Sequence, residues 1–225
     1  MSLPPDFKFT QSNLQDYVEC PRRFELRYLR QLKWPAVEAE PIIEREAHMR
    51  QGAVFHHLVH QHIVGVPEST LTKTAHDDPL RRWWGNYLAH GTPLLNTDSK
   101  PEITLTAPLG GYRLLAKYDV IVPDANSKRW VIVDWKTASH RPKRAQLAAR
   151  LQTRVYPYML VRAGAHLNGG TPITPEQVEM IYWFADDPTT PERFAYSHDQ
   201  YDEDDSYLLG LVQEIENREV FDLTA

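Results

Sequence analysis

The sequence predicts an α/β protein in which a central mixed β-sheet is flanked by helices, with an additional helical part at the N-terminus. Three observations support this prediction. Helical spacing of apolar residues dominates the first 95 residues, and strand-like segments separated by Gly, Pro and Asn then occupy residues 102–137. After residue 143, a helical pattern, one or two strand patterns and a closing helical pattern follow in that order.

The helices are predicted from apolar periodicity and from capping residues. In "TQSNLQDYVECPRRFELRYLRQL", residues 10–32, Ser12 is a candidate N-cap, and Pro21 either starts a second helix or kinks the first. Pro157 is expected to disturb a helix at Tyr156, because proline disfavours the helical conformation of the residue before it. The remaining helices are predicted over residues 44–65, 77–90, 144–164 and 205–217.

The strands are predicted from runs of β-branched and aromatic residues. Gly110 and Gly111 lie between two such runs and are typical of a hairpin turn. The strands are predicted over residues 102–106, 112–122, 129–137, 178–185 and 193–197, the last as a short edge strand.

Length and composition suit one globular domain with a sizeable core, since the 225 residues are 42% hydrophobic and 24% charged. No apolar run approaches the roughly 20 residues that a membrane helix needs. The opening "MSLPPDFKFT" lacks the basic and apolar segments of a secretory signal. Cys20 is the one cysteine, which excludes an internal disulfide and favours a reducing compartment. We therefore expect a cytoplasmic protein without a membrane partner.

The charge is divided along the chain, although the net charge is −5. Residues 128–154 carry eight Lys or Arg and one acid, Asp134, whereas residues 176–225 carry fourteen acids and two arginines. The acidic part is interpreted as a solvated surface. The basic part surrounds Asp134 and Lys136, so its charge is the more informative of the two for nucleic-acid binding.

The stretch "VIVDWKTASH", residues 131–140, places a carboxylate and an ammonium at the end of an apolar strand. Side chains two positions apart on a strand point to the same face, so Asp134 and Lys136 are expected side by side. Asp119 lies on the preceding predicted strand. Two adjacent strands would bring Asp119 and Asp134 together at one end of the sheet.

Two neighbouring carboxylates repel each other, and either a shared proton or a divalent cation relieves the repulsion. Oxygen ligands of this kind suit Mg²⁺ or Mn²⁺. A lysine beside them fits phosphate chemistry, where an ammonium can orient a water and offset developing negative charge. An ion pair between Asp134 and Lys136 without catalytic function is the alternative explanation of these two residues alone.

Further motifs resemble those of a known nuclease family. Asp119 followed by Asp134-Trp135-Lys136 is similar to the D…(D/E)xK signature of the PD-(D/E)xK superfamily. "SNLQDYVECPRRFELRYL", residues 12–29, resembles the S-x-L-x-x-Y-x-x-C-P-x-x-F-x-x-x-Y opening of its RecB/AddB/Cas4-type exonuclease domains. "GAVFH" and "QTRVY" match their G-x-x-x-H and Q-x-x-x-Y elements. The resemblance extends over residues 12–160.

The resemblance implies a restriction-endonuclease-like core in one domain, 1–225, with a mainly helical part at 1–95 and a catalytic α/β core at 100–225. It implies metal-dependent hydrolysis of phosphodiester bonds by a DNA exonuclease that acts on ends or single strands. Lys136 would position the attacking water, and Gln152 and Tyr156 would lie beside it. The implied metal ligands are His56, Asp119, Asp134 and the carbonyl of Trp135. Glu102 is carried over more weakly as an additional acid.

One departure from the family concerns iron. Many relatives hold a 4Fe–4S cluster with one N-terminal and three C-terminal cysteines, and a cluster ordinarily needs four thiolates. Because Cys20 has no companions in this sequence, the chain alone is expected to bind no cluster. A helicase, recombination or CRISPR protein is the partner that the resemblance suggests. No phosphate-binding loop of the G-x-x-x-x-G-K-[ST] type is present in the sequence.

Two other functions stay open at this point. One is a nucleic-acid-binding module that has the fold without catalysis, and the other is a zinc hydrolase that uses His56 and His60, four residues apart in "HHLVHQH". Trp83, Trp84 and Tyr87 are expected in the core rather than stacked on bases. The cations predicted to bind phosphates are Arg22, Arg23, Lys143, Arg144, Arg150 and Arg154.

Overall fold

The computed structural model describes residues 3–32, 40–124, 126–138 and 140–218. Within them the chain forms strands β1 (Lys8–Thr10), β2 (Lys100–Pro101), β3 (Thr104–Leu109), β4 (Tyr112–Lys117), β5 (Val120–Asp124), β6 (Arg129–Lys136), β7 (Val178–Phe184) and β8 (Asp187–Ala195). The helices are α1 (Gln11–Glu19), α2 (Pro21–Phe24), α3 (Glu40–Ile63), α4 (Glu68–Thr74), α5 (Asp78–Asn86), α6 (Arg144–Ala148), α7 (Leu151–Ala163) and α8 (His198–Asn217).

The strands form two mixed sheets. A five-stranded sheet has the order β2-β5-β6-β7-β8, in which β6 and β7 are parallel and the other neighbours are antiparallel. A three-stranded sheet has the order β1-β4-β3, with β1 parallel to β4. The predicted α/β class, with mixed β-structure flanked by helices, is thereby confirmed, and the mainly helical N-terminal part also contributes strand β1.

β6 occupies the middle of the five-stranded sheet because its side chains are apolar on both faces. Ile132 and Trp130 pack in a core with α1, α7, α8 and the three-stranded sheet, whereas Val133 and Trp135 pack in a second core against α3 and α5. The second core contains Trp83, Trp84 and Tyr87, which are buried as predicted. Two cores that meet at one strand hold the end of β6 in a defined position.

The segment 112–122, predicted as one strand, forms two. β4 ends at Lys117 in the three-stranded sheet, and β5 begins at Val120 in the five-stranded sheet. Between them the amide of Tyr118 donates to the carbonyl of Ile103, and the carbonyl of Asp119 accepts from the amide of Glu102. The chain therefore changes sheets at Asp119, which places this residue just outside β5 rather than within a strand.

The helix predicted over 144–164 is also two helices, α6 and α7. The backbone of Arg150 is extended (φ −70°, ψ 139°) and separates the two helices. The amide of Leu151, at the start of α7, donates to the side-chain oxygen of Gln15 on α1. Pro157 does not end α7, contrary to expectation. Burial of Tyr156, Tyr158 and their neighbours on α7 in the first core offsets the hydrogen bond that proline removes.

Ser12 was predicted wrongly as the N-cap of α1. The cap is Thr10, whose hydroxyl accepts from the amide of Asn13, and Ser12 lies inside the helix. Most of the remaining predictions are confirmed. The hairpin turn falls at Gly110 and Gly111, whose φ values of +56° and +83° are those that glycine adopts readily. β8 is longer than the edge strand predicted over 193–197. Among the helices of the described residues, none combines the length and the apolar character that crossing a membrane requires.

Candidate active site

The candidate site is built around the C-terminal end of β6. In the antiparallel pair, Val120 of β5 lies opposite Val133, so Asp119 precedes β5 beside Asp134. The amide of Trp135 donates to Oδ2 of Asp119 at 2.9 Å. The aspartate side chain thereby accepts a hydrogen bond just beyond the last β5–β6 rung, and this fixes the carboxylate of Asp119 against the strand end.

His56 reaches the same carboxylate from the other side. Its Nδ1 lies 3.2 Å from Oδ1 of Asp119, and the side chains of His56 and Asp119 are 31% and 21% exposed. Burial lowers the pKa of His56, but the hydrogen bond to Asp119 and the negative charges of both aspartates raise it, and the net direction is upward. The imidazole and the carboxylate therefore form a partly solvated pair at the rim of the site.

α3 brings His56 to this position through close contact with the segment after β6. A Cβ atom added to Gly52 would lie 2.7 Å from Oγ1 of Thr137, a distance that real Cβ contacts do not show. One turn earlier, the ring of His48 lies 2.8 Å from the carbonyl oxygen of Thr137 through Nε2. Gly52 belongs to the predicted G-x-x-x-H element, whereas His48 and Thr137 were missed because sequence spacing does not reveal that they meet.

Asp134 and Lys136 form the buried part of the site. Nζ of Lys136 lies 2.7 Å from Oδ2 of Asp134 and 2.9 Å from the side-chain oxygen of Gln152. The amide nitrogen of Gln152 donates to the other carboxylate oxygen of Asp134. A single glutamine side chain thus bridges the acid and the base, and the side-by-side arrangement of Asp134 and Lys136 predicted from their spacing is confirmed.

Burial dominates the electrostatics of Asp134. Removal from water raises its pKa above the usual range, the charge of Lys136 lowers it, and the charge of Asp119 raises it. The strand register, with Val120 opposite Val133, places the two carboxylates close enough for this repulsion. The net upward direction means that Lys136 offsets only part of the cost of burying the carboxylate.

Tyr156 lies one helical turn after Gln152 on α7 and is buried beside it. Burial, and secondly the charge of Asp134, raise the pKa of its hydroxyl, so the hydroxyl stays protonated at neutral pH. Tyr118 packs against Tyr156 with 4.9 Å between ring centroids and donates its hydroxyl to the Tyr156 carbonyl at 2.9 Å. The predicted proximity of Gln152 and Tyr156 to Asp134 is therefore present.

Tyr182 is a further residue at the site that sequence reasoning missed. It lies opposite Asp134 in the parallel β6–β7 register, and Nζ of Lys136 lies 5.5 Å from the centre of its ring. Its hydroxyl pairs with that of Thr153 at 2.8 Å. The apolar run of residues 178–185 predicted the strand, but the register with β6 was needed to place Tyr182 under the lysine.

The predicted metal ligands have chemistry that fits a divalent cation, with an imidazole and two mutually repelling carboxylates at one strand end. Among the described residues, however, no three His, Cys, Asp or Glu side chains converge closely enough to hold an ion. Asp134 is engaged by Lys136 and Gln152, and Asp119 by His56 and the amide of Trp135. The assignment of His56, Asp119, Asp134 and the Trp135 carbonyl as ligands therefore stays a prediction.

Two weaker candidates for metal binding receive no structural support. The carboxylate of Glu102 forms an ion pair with Lys117. His60, the partner of His56 in the zinc alternative, has its ring 6.4 Å from that of His57. The described part of the chain contains no group of three His, Cys, Asp or Glu side chains around His60 that could hold an ion, so no observation favours a zinc site.

The six cations predicted to bind phosphates fall into two groups. Four are paired with acids: Arg22 with Glu25, Arg23 with Glu19 and Asp16, Arg144 with Glu192, and Arg154 with Asp204. Lys143 and Arg150 make no ion pair within the described residues. Arg150 is the N-cap residue of α7 and precedes Gln152 by two residues, so it lies near the site.

Comparison with known proteins identifies the family. The sequence matches the PD-(D/E)XK nuclease superfamily over residues 8–224. The solved structure of a candidate exonuclease from Eubacterium rectale has a TM-score of 0.55 at 10% identity, covering 95% of this chain and 82% of that one. SSO0001 has a TM-score of 0.45 at 11% identity, covering 92% and 74%. None of the curated proteins matches the sequence significantly. Because the family match extends over nearly the entire chain, the protein belongs to the PD-(D/E)XK nuclease superfamily and has its restriction-endonuclease-like fold.

Proposed function

We propose that the protein is a Mg²⁺- or Mn²⁺-dependent deoxyribonuclease that hydrolyses phosphodiester bonds from DNA ends or in single strands. The observation that supports this best is the meeting of Asp119, Asp134 and Lys136 at the end of β6, with His56 against Asp119. Superfamily membership supports hydrolysis of nucleic acid. The similar protein from Eubacterium rectale, described as a candidate exonuclease, supports the preference for ends.

Each side chain has a defined task in this proposal. Asp119, Asp134 and His56 would hold the cation, which would lower the pKa of water at the site and offset charge on the phosphate. Lys136 directs its ammonium at the attacked phosphate, whose negative charge grows during the reaction. Gln152 and Asp134 fix the direction of that ammonium through the contacts at 2.9 and 2.7 Å.

Tyr156 and Gln152 complete the wall of the site on α7. Because Tyr156 keeps its proton, its hydroxyl is available as a hydrogen-bond donor for a phosphate oxygen. Arg150 and Lys143, which have no acidic partner in the described part of the chain, are the predicted cations best suited to contact the DNA backbone. A helicase or recombination protein that supplies DNA ends, or a CRISPR protein, remains our proposal for the partner.

The direct test is digestion of end-labelled single- and double-stranded DNA with Mg²⁺ or Mn²⁺, and with EDTA as the control. We expect cleavage that EDTA stops and that Asp119→Asn abolishes. The asparagine retains a side-chain oxygen for the Trp135 amide and so preserves the local fold. Cation-independent cleavage, or equal cleavage by the variant, would contradict the proposal. Binding without cleavage under every condition would favour a non-catalytic nucleic-acid-binding module.

A covalently closed single-stranded circle separates end-dependent from internal cleavage. We expect the linear form to be degraded and the circle of the same sequence to resist. Degradation of the circle would keep the nuclease assignment and overturn the preference for ends. An RNA of the same sequence, digested in parallel, tests the restriction to DNA.

A further inference from the structure

The three-stranded sheet has one buried and one open face. Leu105, Leu114 and the other alternating apolar residues of β3 and β4 face the first core. The opposite side chains are mainly exposed among the described residues, and we call this side the outer face. Its members are Lys8 and Thr10 on β1, Arg113, Leu115 and Lys117 on β4, and Thr104, Thr106 and Pro108 on β3.

The outer face carries two cations that the fold leaves unbalanced. Lys8 and Arg113 lie directly opposite each other in the parallel β1–β4 register. Like charges in this arrangement destabilise a sheet. Neither side chain makes an ion pair within the described residues, and Asp6 nearby does not pair with them. This contrasts with the four paired arginines described above, whose charge neighbouring acids already offset.

Lys8 and Arg113 also line one groove. Its volume is about 400 Å³, and its walls include Pro5, Phe7 and Tyr112. Asp6 is the one acid among the lining residues, so the lining keeps a net positive charge. The hairpin tip beside it is fixed, because a Cβ atom at Gly110 would lie 3.0 Å from Val212 of α8. Two unpaired cations on a rigid wall are suited to an anion with more than one negative group. Because the fold already holds the two cations side by side, binding of the anion does not have to order them.

The outer face leads along β4 to the candidate active site. Arg113, Leu115 and Lys117 alternate on one face, and Asp119 follows two residues after Lys117. Asp119 follows Arg113 by six residues, the last two of which lie beyond β4 in the change of sheet, so the two residues are at most about 20 Å apart. Lys117 is already paired with Glu102, so Lys8 and Arg113 provide the free charge at the far end of this path.

We propose that the outer face binds the phosphate backbone of the substrate strand at most about 20 Å from the cleaved bond, with Lys8 and Arg113 contacting phosphates. The proposal rests on the proposed nuclease function for the position of the cleaved bond. Lys, Arg and Thr side chains are the usual phosphate contacts of DNA-binding proteins, and the outer face offers all three. The contacts are with the backbone, so they carry no sequence preference.

The test is binding of a fluorescent 20-nucleotide oligothymidylate in EDTA, where no cleavage occurs, measured by anisotropy from 0.05 to 0.4 M salt. We compare the wild type with the double variant Lys8→Ala/Arg113→Ala. Loss of two single-strand phosphate contacts lowers the slope of log K against log salt by about 1.4. If the variant and the wild type bind equally at 1 M salt, this difference in slope makes binding by the variant roughly 25-fold weaker at 0.1 M salt.

The matched control is Lys73→Ala/Arg81→Ala, which removes an exposed lysine that makes no ion pair within the described residues and an exposed arginine whose charge Asp78 offsets. We expect it to bind as the wild type does. An unchanged slope in Lys8→Ala/Arg113→Ala, or an equal loss in the control, would overturn the proposal. With Mn²⁺ present, the first variant should retain kcat and show a raised KM, and a lowered kcat with unchanged KM would also overturn it. Failure of the nuclease proposal is recognised separately, as absence of cleavage by the wild type.

Discussion

The two halves of the candidate site are held by different parts of the molecule. Asp134, Lys136 and Gln152 form a buried half on β6 and α7, joined to each other by hydrogen bonds and an ion pair. His56 and Asp119 form a more exposed half, which depends on how α3 docks against the end of β6. The buried half is therefore positioned by the core. In the exposed half, the Trp135 amide holds Asp119, and the docking of α3 positions His56. Changes in the two halves should have distinguishable consequences.

The largest effect is expected from Lys136→Met in the buried half. Without the ammonium, the negative charge that develops on the phosphate during cleavage is no longer offset. The cleavage rate should therefore fall on the order of 10²–10³-fold. Single-turnover cleavage of labelled DNA measures this loss, and Lys73→Met, an exposed lysine on α4, is the control with wild-type rate. If Lys136→Met cleaves at a rate within threefold of the wild type, Lys136 does not take part in the chemical step.

The same substitution should also reduce stability, by about 3–5 kcal/mol, because Asp134 becomes a buried carboxylate without its cation. Burial already raises the pKa of Asp134, and loss of Lys136 raises it further. The Asp134 carboxyl then binds its proton more tightly in the folded state than in the unfolded chain. The free energy of unfolding therefore falls as the pH rises from the unfolded pKa, about 3.9, through the higher pKa of the folded state.

Urea unfolding at pH 4.5 and pH 8 checks this sign. The difference in unfolding free energy between the wild type and Lys136→Met should be larger at pH 8, where the unpaired carboxylate is charged. An equal difference at both values would show that Asp134 does not depend on Lys136 for its burial. Asp119→Asn, in the exposed half, should have a much smaller effect on stability at either pH.

Gly52→Ala should disturb the exposed half most selectively. The added methyl meets Oγ1 of Thr137, so α3 or the Thr137 side chain must shift and His56 leaves its position against Asp119. We expect about a tenfold loss of cleavage, in line with the sensitivity of catalysis to displacements of about 1 Å. Combining Gly52→Ala with Thr137→Ala removes the obstructing atom and should restore activity.

Gly85→Ala is the matched control for this prediction, because Gly85 is also within a helix and an added Cβ meets nothing within 4 Å. It should leave cleavage unchanged and stabilise α5 by roughly 0.5–1 kcal/mol. Equal activity of Gly52→Ala and Gly85→Ala would show that the close approach of α3 does not position His56.

The sequence predicted the buried half better than the exposed half, for a physical reason. Alternation along one strand is enough to place Asp134 beside Lys136, and helical spacing is enough to align Gln152 with Tyr156. The position of Asp119 depends on a change of sheet, and one uninterrupted strand was predicted there because residues 112–122 contain no Gly, Pro or Asn to mark a turn. Contacts between distant segments, such as His48 with Thr137 or Tyr182 with Lys136, need the register and the packing of whole elements. Such contacts leave no spacing pattern in the sequence.

The smallest effect is expected at Tyr182, which supports the buried half from β7. Tyr182→Phe removes the hydroxyl bonded to Thr153 and retains the ring beneath Lys136, so cleavage should fall no more than about threefold. Tyr182→Leu also removes the ring and should cost about fivefold through loss of the cation–π contact. If both variants lost activity equally, the hydroxyl rather than the ring would be the important group.

If the two halves form one cation site, Mn²⁺ should bind only when both are intact. Electron paramagnetic resonance of Mn²⁺ titrated into the protein, without nucleic acid, counts bound ions independently of catalysis. We expect saturable binding by the wild type, and loss of that binding in both Asp119→Asn and Asp134→Asn, one variant from each half. Wild-type titration curves in both variants would contradict the claim that Asp119 and Asp134 share a cation.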